Sequence, residues 1–144
     1  MSRTPEKHAK VSVELTVPFH DVDPLHIVWH GNYLKYLEIA RTELMRSRGL
    51  DIPQIVELGF RQVVIEVKCR YAHPLRYGER FRVDAWFNDI EHRLNIGFEI
   101  FNLSQEGQRA LHGHCILVTT DAAGRMLLET PPALCALLGE KRDV

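Results

Sequence analysis

Residues 18–48 read PFHDVDPLHIVWHGNYLKYLEIARTELMRSR, and their first half concentrates the groups that can do chemistry. Two carboxylates, Asp21 and Asp23, and three imidazoles, His20, His26 and His30, fall within eleven positions, directly before the longest helical pattern in the chain. A carboxylate just ahead of a helix lies near the positive end of the helix dipole and near amides with no intrahelical acceptor. Asp23 therefore has two readings. It is either a capping or turn aspartate, or a general base or nucleophile whose neighbouring helix amides bind an oxyanion. The second arrangement is what hydrolysis of an activated carbonyl needs. Asp21 is the weaker candidate, suited to turn or interchain hydrogen bonds. His30 can orient a water or hydrogen-bond a substrate carbonyl, or be a plain loop histidine.

Other chemistries lack their signals. His26 and His30 are four apart, a metal-binding spacing on a helix, but the helix starts later and no HExxH accompanies them, so no metal is expected. His112 and His114 share a strand face without a third ligand. There is no GxSxG elbow, no GxxxxGK[ST] loop and no GxGxxG fingerprint, and no cysteine has an activating partner in sequence. No cofactor is expected.

Certain elements must position these groups. Tyr33, Leu37, Ala40 and Leu44 recur at helical spacing, which predicts an amphipathic helix over 32–48, capped by Asn32 and stopped by Gly49. Tyr33, Tyr36 and Leu37 read as core. Glu38–Arg41 and Glu43–Arg46 are i, i+3 pairs on a largely solvated face. Ahead of the helix, Val11, Val13, Leu15 and Val17 alternate as a half-buried strand. Asp51-Ile52-Pro53 caps a short second helix. Four further strands follow. Val63, Ile65, Val67, Cys69 and Tyr71 share a face of the first; Phe81 to Phe87, Leu94 to Ile100 and 111–120 make the rest, with a connection at 88–92. Pro131-Pro132 opens a C-terminal helix. The order predicts an α+β domain, one long helix against a curved antiparallel sheet of about five strands. Trp86, Phe101 and Leu117 fall off their strands' main apolar parity, which predicts contact with another subunit.

Composition sets the bounds. A chain of 144 residues fits one domain over 11–144 behind a frayed segment 1–10. A net charge of −1 offers no general attraction to nucleic acid. No apolar run reaches the length of a membrane span, so no membrane insertion is expected, and the N-terminus lacks the apolar core of a secretory signal. Three cysteines without a CxxC pair suit reduced thiols in the cytoplasm.

The segment FHDVDPLHIVWHGNYLKYLEIAR resembles the signature of the 4-hydroxybenzoyl-CoA thioesterase family of hotdog-fold acyl-CoA thioesterases. YAHPLRYGERFRV and LVTTDAAGR extend the resemblance over nearly the whole chain after residue 10. The resemblance implies a hotdog fold, dimers paired edge to edge and often joined into tetramers, and active sites between subunits. It implies a catalytic carboxylate at Asp23. His30 matches the histidine of the branch resembling the Tol-Pal-cluster acyl-CoA thioesterases. Backbone amides at His30 and Gly31 would polarise the thioester carbonyl, and Tyr33 would sit near the substrate. His92 and Arg93 occupy the hairpin where relatives carry basic residues for the CoA nucleotide. Many relatives have glycine where this chain has His26, so the bulkier side chain is expected to narrow the approach to the carbonyl or alter acyl preference.

The expected function is hydrolysis of an acyl-CoA or acyl-carrier-protein thioester to acid and thiol, with Asp23 as base or nucleophile. A non-catalytic acyl-thioester-binding protein is the alternative. A hydroxyacyl-thioester dehydratase ranks lower, because its His-x-Phe-Pro-Gly-type motif is missing.

Overall fold

The computed structural model describes residues 8–139. The chain runs β1 (His8–Thr16), α1 (Tyr33–Arg46), α2 (Ile52–Glu57), β2 (Phe60–Tyr71), β3 (Arg80–Asp89), β4 (Leu94–Asn102), β5 (Gln108–Asp121) and α3 (Pro132–Gly139). The five strands form one antiparallel sheet in the order β1-β3-β4-β5-β2. The chain thus leaves one sheet edge at β1, crosses the inner face as α1, and re-enters at the opposite edge as β2. This is the α+β, helix-in-sheet arrangement of a hotdog fold.

The helix forms for the reason its spacing suggests. Tyr33, Leu37, Ala40 and Leu44 are buried, joined by Tyr36 on the same face. They meet Phe81, Val83, Ala85 and Phe87 of β3 and Leu94, Ile96, Phe98 and Ile100 of β4 in one continuous core. Gly49, with φ 69°, supplies the left-handed residue that ends the turn after α1. Asp51 caps α2 by accepting from the Ile52 amide.

Two expectations, the frayed start and the off-parity trio Trp86, Phe101 and Leu117, differ from what the structure places there. Strand β1 begins at His8, so His8–Lys10 pair in the sheet rather than fray; residues 1–7 lie outside the described residues. Leu117 faces the core, because it pairs with Leu94 in the inward register of β4 and β5. Trp86 is covered by its own chain, since it fills the space left by Gly97 on the next strand, where a Cβ would lie 2.5 Å from the indole. Phe101 carries the Arg82 guanidinium 4.9 Å above its ring. Leu117, Trp86 and Phe101 thus each have a partner within the chain. The unpartnered apolar surface lies instead on the edge strand β2, where Val63 is 48% and Val67 45% exposed.

Candidate active site

The segment between β1 and α1 is a folded scaffold. A 3₁₀ turn at Phe19–Asp21 is followed by a small hairpin bridged at Val22 and Val28. The Asp23 amide donates to the Ile27 carbonyl at 2.9 Å, and the His26 amide to the Asp23 carbonyl at 2.9 Å. His26 closes the turn with φ 64°. That backbone is the left-handed conformation glycine adopts without cost, which is the physical reason glycine suits this position. The Val28 amide donates to the Leu75 carbonyl at 2.8 Å and docks the hairpin on the chain leading to β3.

The two aspartates divide their work. Asp21 is 2% exposed and accepts from the Tyr36 hydroxyl at 2.6 Å and from the Lys35 ammonium, both on α1. Its carbonyl accepts from the Trp29 amide and the Asn32 side chain, each at 3.0 Å. Burial pushes the Asp21 carboxyl up, but the hydrogen bonds from Lys35 and Tyr36 outweigh it and hold the group below its ordinary value. Burial and the neighbouring carboxylate push the Tyr36 phenol far up. Asp21 is thus an intrachain anchor of the loop on the helix. Asp23 is half-buried and accepts from the Leu25 amide at 2.8 Å through Oδ1. Its Oδ2 has no partner among the described residues.

The helix entrance lies alongside. Asn32 does not cap through its side chain, which donates to Asp21 instead. A 3₁₀ turn at His30–Asn32 runs into α1, so the first amides of the continuous helix are those of His30 and Gly31. The Asn32 amide already donates to Trp29 at 2.8 Å. The Trp29 ring covers Gly31 so closely that a Cβ there would lie 2.2 Å from it. Tyr71, at the end of β2, donates its hydroxyl to the His30 carbonyl at 3.0 Å.

Asp23, His30, Tyr33 and Tyr71 line one groove of about 290 Å³, with Pro74 on its far wall. Tyr33 contributes its ring; its hydroxyl accepts from the Leu75 amide at 3.0 Å, and burial raises its pKa. Other expected residues are elsewhere. His26 is exposed and is not among the residues that line the groove. His92 and Arg93 lie in the β3–β4 loop, where His92 sits 3.7 Å from Asp89. Leu94 pairs with Leu117, whereas Tyr71 pairs with Leu111, so that loop is about 20 Å along the sheet from the groove. His114 faces Glu66 at 3.3 Å. Among the described residues no cluster of three or more His, Cys, Asp or Glu could hold a metal ion. Sequence reading placed Tyr71 on an apolar strand face and missed its hydroxyl's contact with the helix entrance. The signal available was its position at the strand end, just before Pro74.

Residues 17–138 match the model of a family described as the thioesterase-like superfamily. The chain belongs to this superfamily. A putative esterase of Synechocystis sp., sll0410, is 33% identical over 117 residues, spanning 80% of this chain and 70% of that one. The putative acyl-CoA thioesterase YneP of Bacillus subtilis is 31% identical over 94 residues, spanning 65% of this chain and 68% of its own length. Among solved structures, a mutant 4-hydroxybenzoyl CoA thioesterase complexed with 4-hydroxybenzoyl CoA superposes with a TM-score of 0.80 at 18% identity, covering 90% of this chain and 99% of the other. At that identity the likeness is one of fold. Within the superfamily this protein is an acyl-thioester hydrolase.

Proposed function

We propose that the groove beside Asp23 is the hydrolytic site and that the substrate is an acyl thioester carried on coenzyme A. The observation that carries this reading is Asp23, with one oxygen pinned and the other without a partner among the described residues, sharing a groove with His30 at the amide-bearing helix entrance. Asp23 takes a proton from water, and the resulting hydroxide adds to the thioester carbonyl. The His30 and Gly31 amides stabilise the oxyanion. The C–S bond then breaks, and the leaving thiolate takes the proton back from Asp23. His30 positions the water or the carbonyl. The carrier follows the acyl-CoA name of the Bacillus relative.

Assay of Asp23→Ala with a panel of short-chain, long-chain and aromatic acyl-CoAs tests the assignment. We expect kcat to fall by roughly 10²–10⁴-fold with folding intact. A folded Asp23→Ala protein with full activity overturns it. Binding of acyl-CoA by the native protein without turnover would favour the non-catalytic alternative. The same panel on acyl carrier protein tests the carrier.

Two copies are inferred to pair through the exposed β2 edge, with Val63, Val64 and Val67 at the contact. Sedimentation of Val67→Lys checks this: a shift from dimer to monomer is expected. Cytoplasmic residence is also inferred, supported by Cys69, Cys115 and Cys135 all being free thiols. No described helix is long and apolar enough to cross a membrane.

A further inference from the structure

A second cavity, about 200 Å³, lies between α1, α2 and the first residues of β2. Its walls are mostly apolar, built from Met45, Ile55, Phe60 and Leu117. The apolar lining runs out to solvent at the rim, where Ile52 and Val56 of α2 are both exposed. The cavity is set apart from the Asp23 groove. Tyr33 lines the groove and Arg41 the cavity, eight residues apart and therefore about 12 Å along α1.

Four charged side chains stand on the wall, Glu38, Arg41, Asp51 and Arg61, and they are not equally free. Arg41, read from sequence as part of a solvated face, has a side chain only 20% exposed, and its Nη2 donates to Glu38. Asp51 accepts from Arg46 at 2.8 Å. Each wall carboxylate is thus neutralised by a guanidinium. Arg61 is exposed, and no carboxylate pairs with it among the described residues. Its Nη1 donates to the carbonyl of Phe60 at 2.8 Å, and since Phe60 is itself a wall residue, this bond holds the guanidinium beside the cavity. The other donors of its planar fork stay open, and a carboxylate matches that fork with two parallel bonds. An apolar interior next to such a cation suits an amphiphilic anion. The Asp23 groove offers the reverse, because a carboxylate there meets the negative charge of Asp23.

We propose that this cavity is a second binding site, for a free carboxylic acid of medium chain length, with the alkyl chain among Met45, Ile55 and Phe60 and the carboxylate on Arg61. An apolar cavity of ~150 Å³ can hold benzene, so the 200 Å³ here suits a chain of roughly eight carbons. The site stands on its own walls and charges and does not depend on the reading of the Asp23 groove. Free acids are also what hydrolysis of an acyl thioester releases, so the cavity takes the product class of the proposed reaction away from the hydrolytic carboxylate.

A protein-observed NMR titration with octanoate, octanol and butanoate tests the site. Octanol is the more apolar of the two eight-carbon probes, so burial alone ranks it first. Octanoate should nevertheless bind about 10-fold tighter than octanol, the scale of a hydrogen bond to a charged group, and move the methyl signals of Ile55 and Val56. It should also exceed butanoate by at least about 20-fold, because four more methylenes leave water. Arg61→Gln changes an exposed side chain, keeps the fold, and should bring octanoate down to the level of octanol. Equal binding of octanoate and octanol by the native protein, a preference that survives Arg61→Gln, or signal shifts confined to His30 and Tyr71 in the groove each overturns the site. Asp23→Ala should leave octanoate affinity within about twofold of native. A larger change in either direction places the acid in the groove and overturns the site. Full thioesterase activity in Asp23→Ala with native octanoate binding ends the hydrolytic reading and leaves this site standing.

Discussion

Asp21 and Tyr36, fifteen residues apart, meet through a 2.6 Å hydrogen bond that fixes the loop ahead of α1 to the first turn of that helix. The carboxylate two residues earlier than Asp23 is therefore spent on architecture, which leaves Asp23 for the proposed chemistry. The Asp21 carboxyl is held below its ordinary value of 3.8, and so is that of Asp84, which lies buried on the outer face with Ser12 at 2.6 Å and Arg82 at 2.9 Å. A carboxyl lowered in the folded state binds protons less readily than in the unfolded chain. Its stabilisation is complete above pH 3.8 and is lost as pH falls below that through the folded value. Melting temperature measured from pH 6 down to about pH 2 should fall steeply at the acid end. Asp21→Asn and Asp84→Asn should each lower stability near neutrality by about 1–3 kcal/mol and flatten the acid limb. An unchanged acid limb in both would disprove the linkage.

Tyr71 ties the sheet edge to the helix entrance through the His30 carbonyl. It is a positioning residue in the proposed mechanism: its hydroxyl acts on the peptide that presents the Gly31 amide. Tyr71→Phe keeps the ring that packs 5.2 Å from Tyr33 and removes only the hydroxyl. We expect kcat to drop about 10-fold with KM within a factor of two or so, because the oxyanion amides are aimed at the transition state rather than at the bound substrate. A change confined to KM would contradict this role.

Three glycines face close neighbours, and their alanine variants should rank by what must give way. At Gly113 a Cβ would lie 2.1 Å from the Lys68 carbonyl oxygen, which is backbone in the β2–β5 ladder. At Gly97 it would meet the buried Trp86 ring, and at Gly31 the half-exposed Trp29 ring. Backbone yields least and an exposed ring most. Gly113→Ala should cost over ~3 kcal/mol, Gly97→Ala about 1–3 and Gly31→Ala under about 1, read by denaturant unfolding. Gly31→Ala should still shift the Trp29 fluorescence.

The parts that could be read from sequence were those set by local period. The stripe Tyr33, Leu37, Ala40, Leu44 predicts α1 because burial on one helix face leaves that spacing, and the alternation Leu94 to Ile100 predicts β4 for the same reason. What depended on distant partners was not readable. Trp86 is buried only because Gly97 leaves a hole on the neighbouring strand, and Leu117 faces inward because of its register with Leu94. The separate fates of Asp21 and Asp23 hinge on Lys35 and Tyr36, more than ten residues on. The position of His92 and Arg93 depends on strand order, which α1 sets by carrying β2 to the far edge.

His26 holds φ 64° at the turn after Asp23, where a side chain carries a conformational cost of about 1–2 kcal/mol that glycine escapes. Glycine adds unfolded-state freedom worth roughly 0.5–1 kcal/mol in the opposite direction. His26→Gly should therefore leave stability unchanged or raise it by up to about 1.5 kcal/mol. Because the imidazole is exposed and away from the groove wall, kcat/KM across acyl chain lengths should stay within about twofold of the native enzyme. Melting curves and the acyl-CoA panel check both. A changed chain-length preference in His26→Gly would show that the imidazole reaches the substrate, and would restore the expectation that its bulk governs acyl selection.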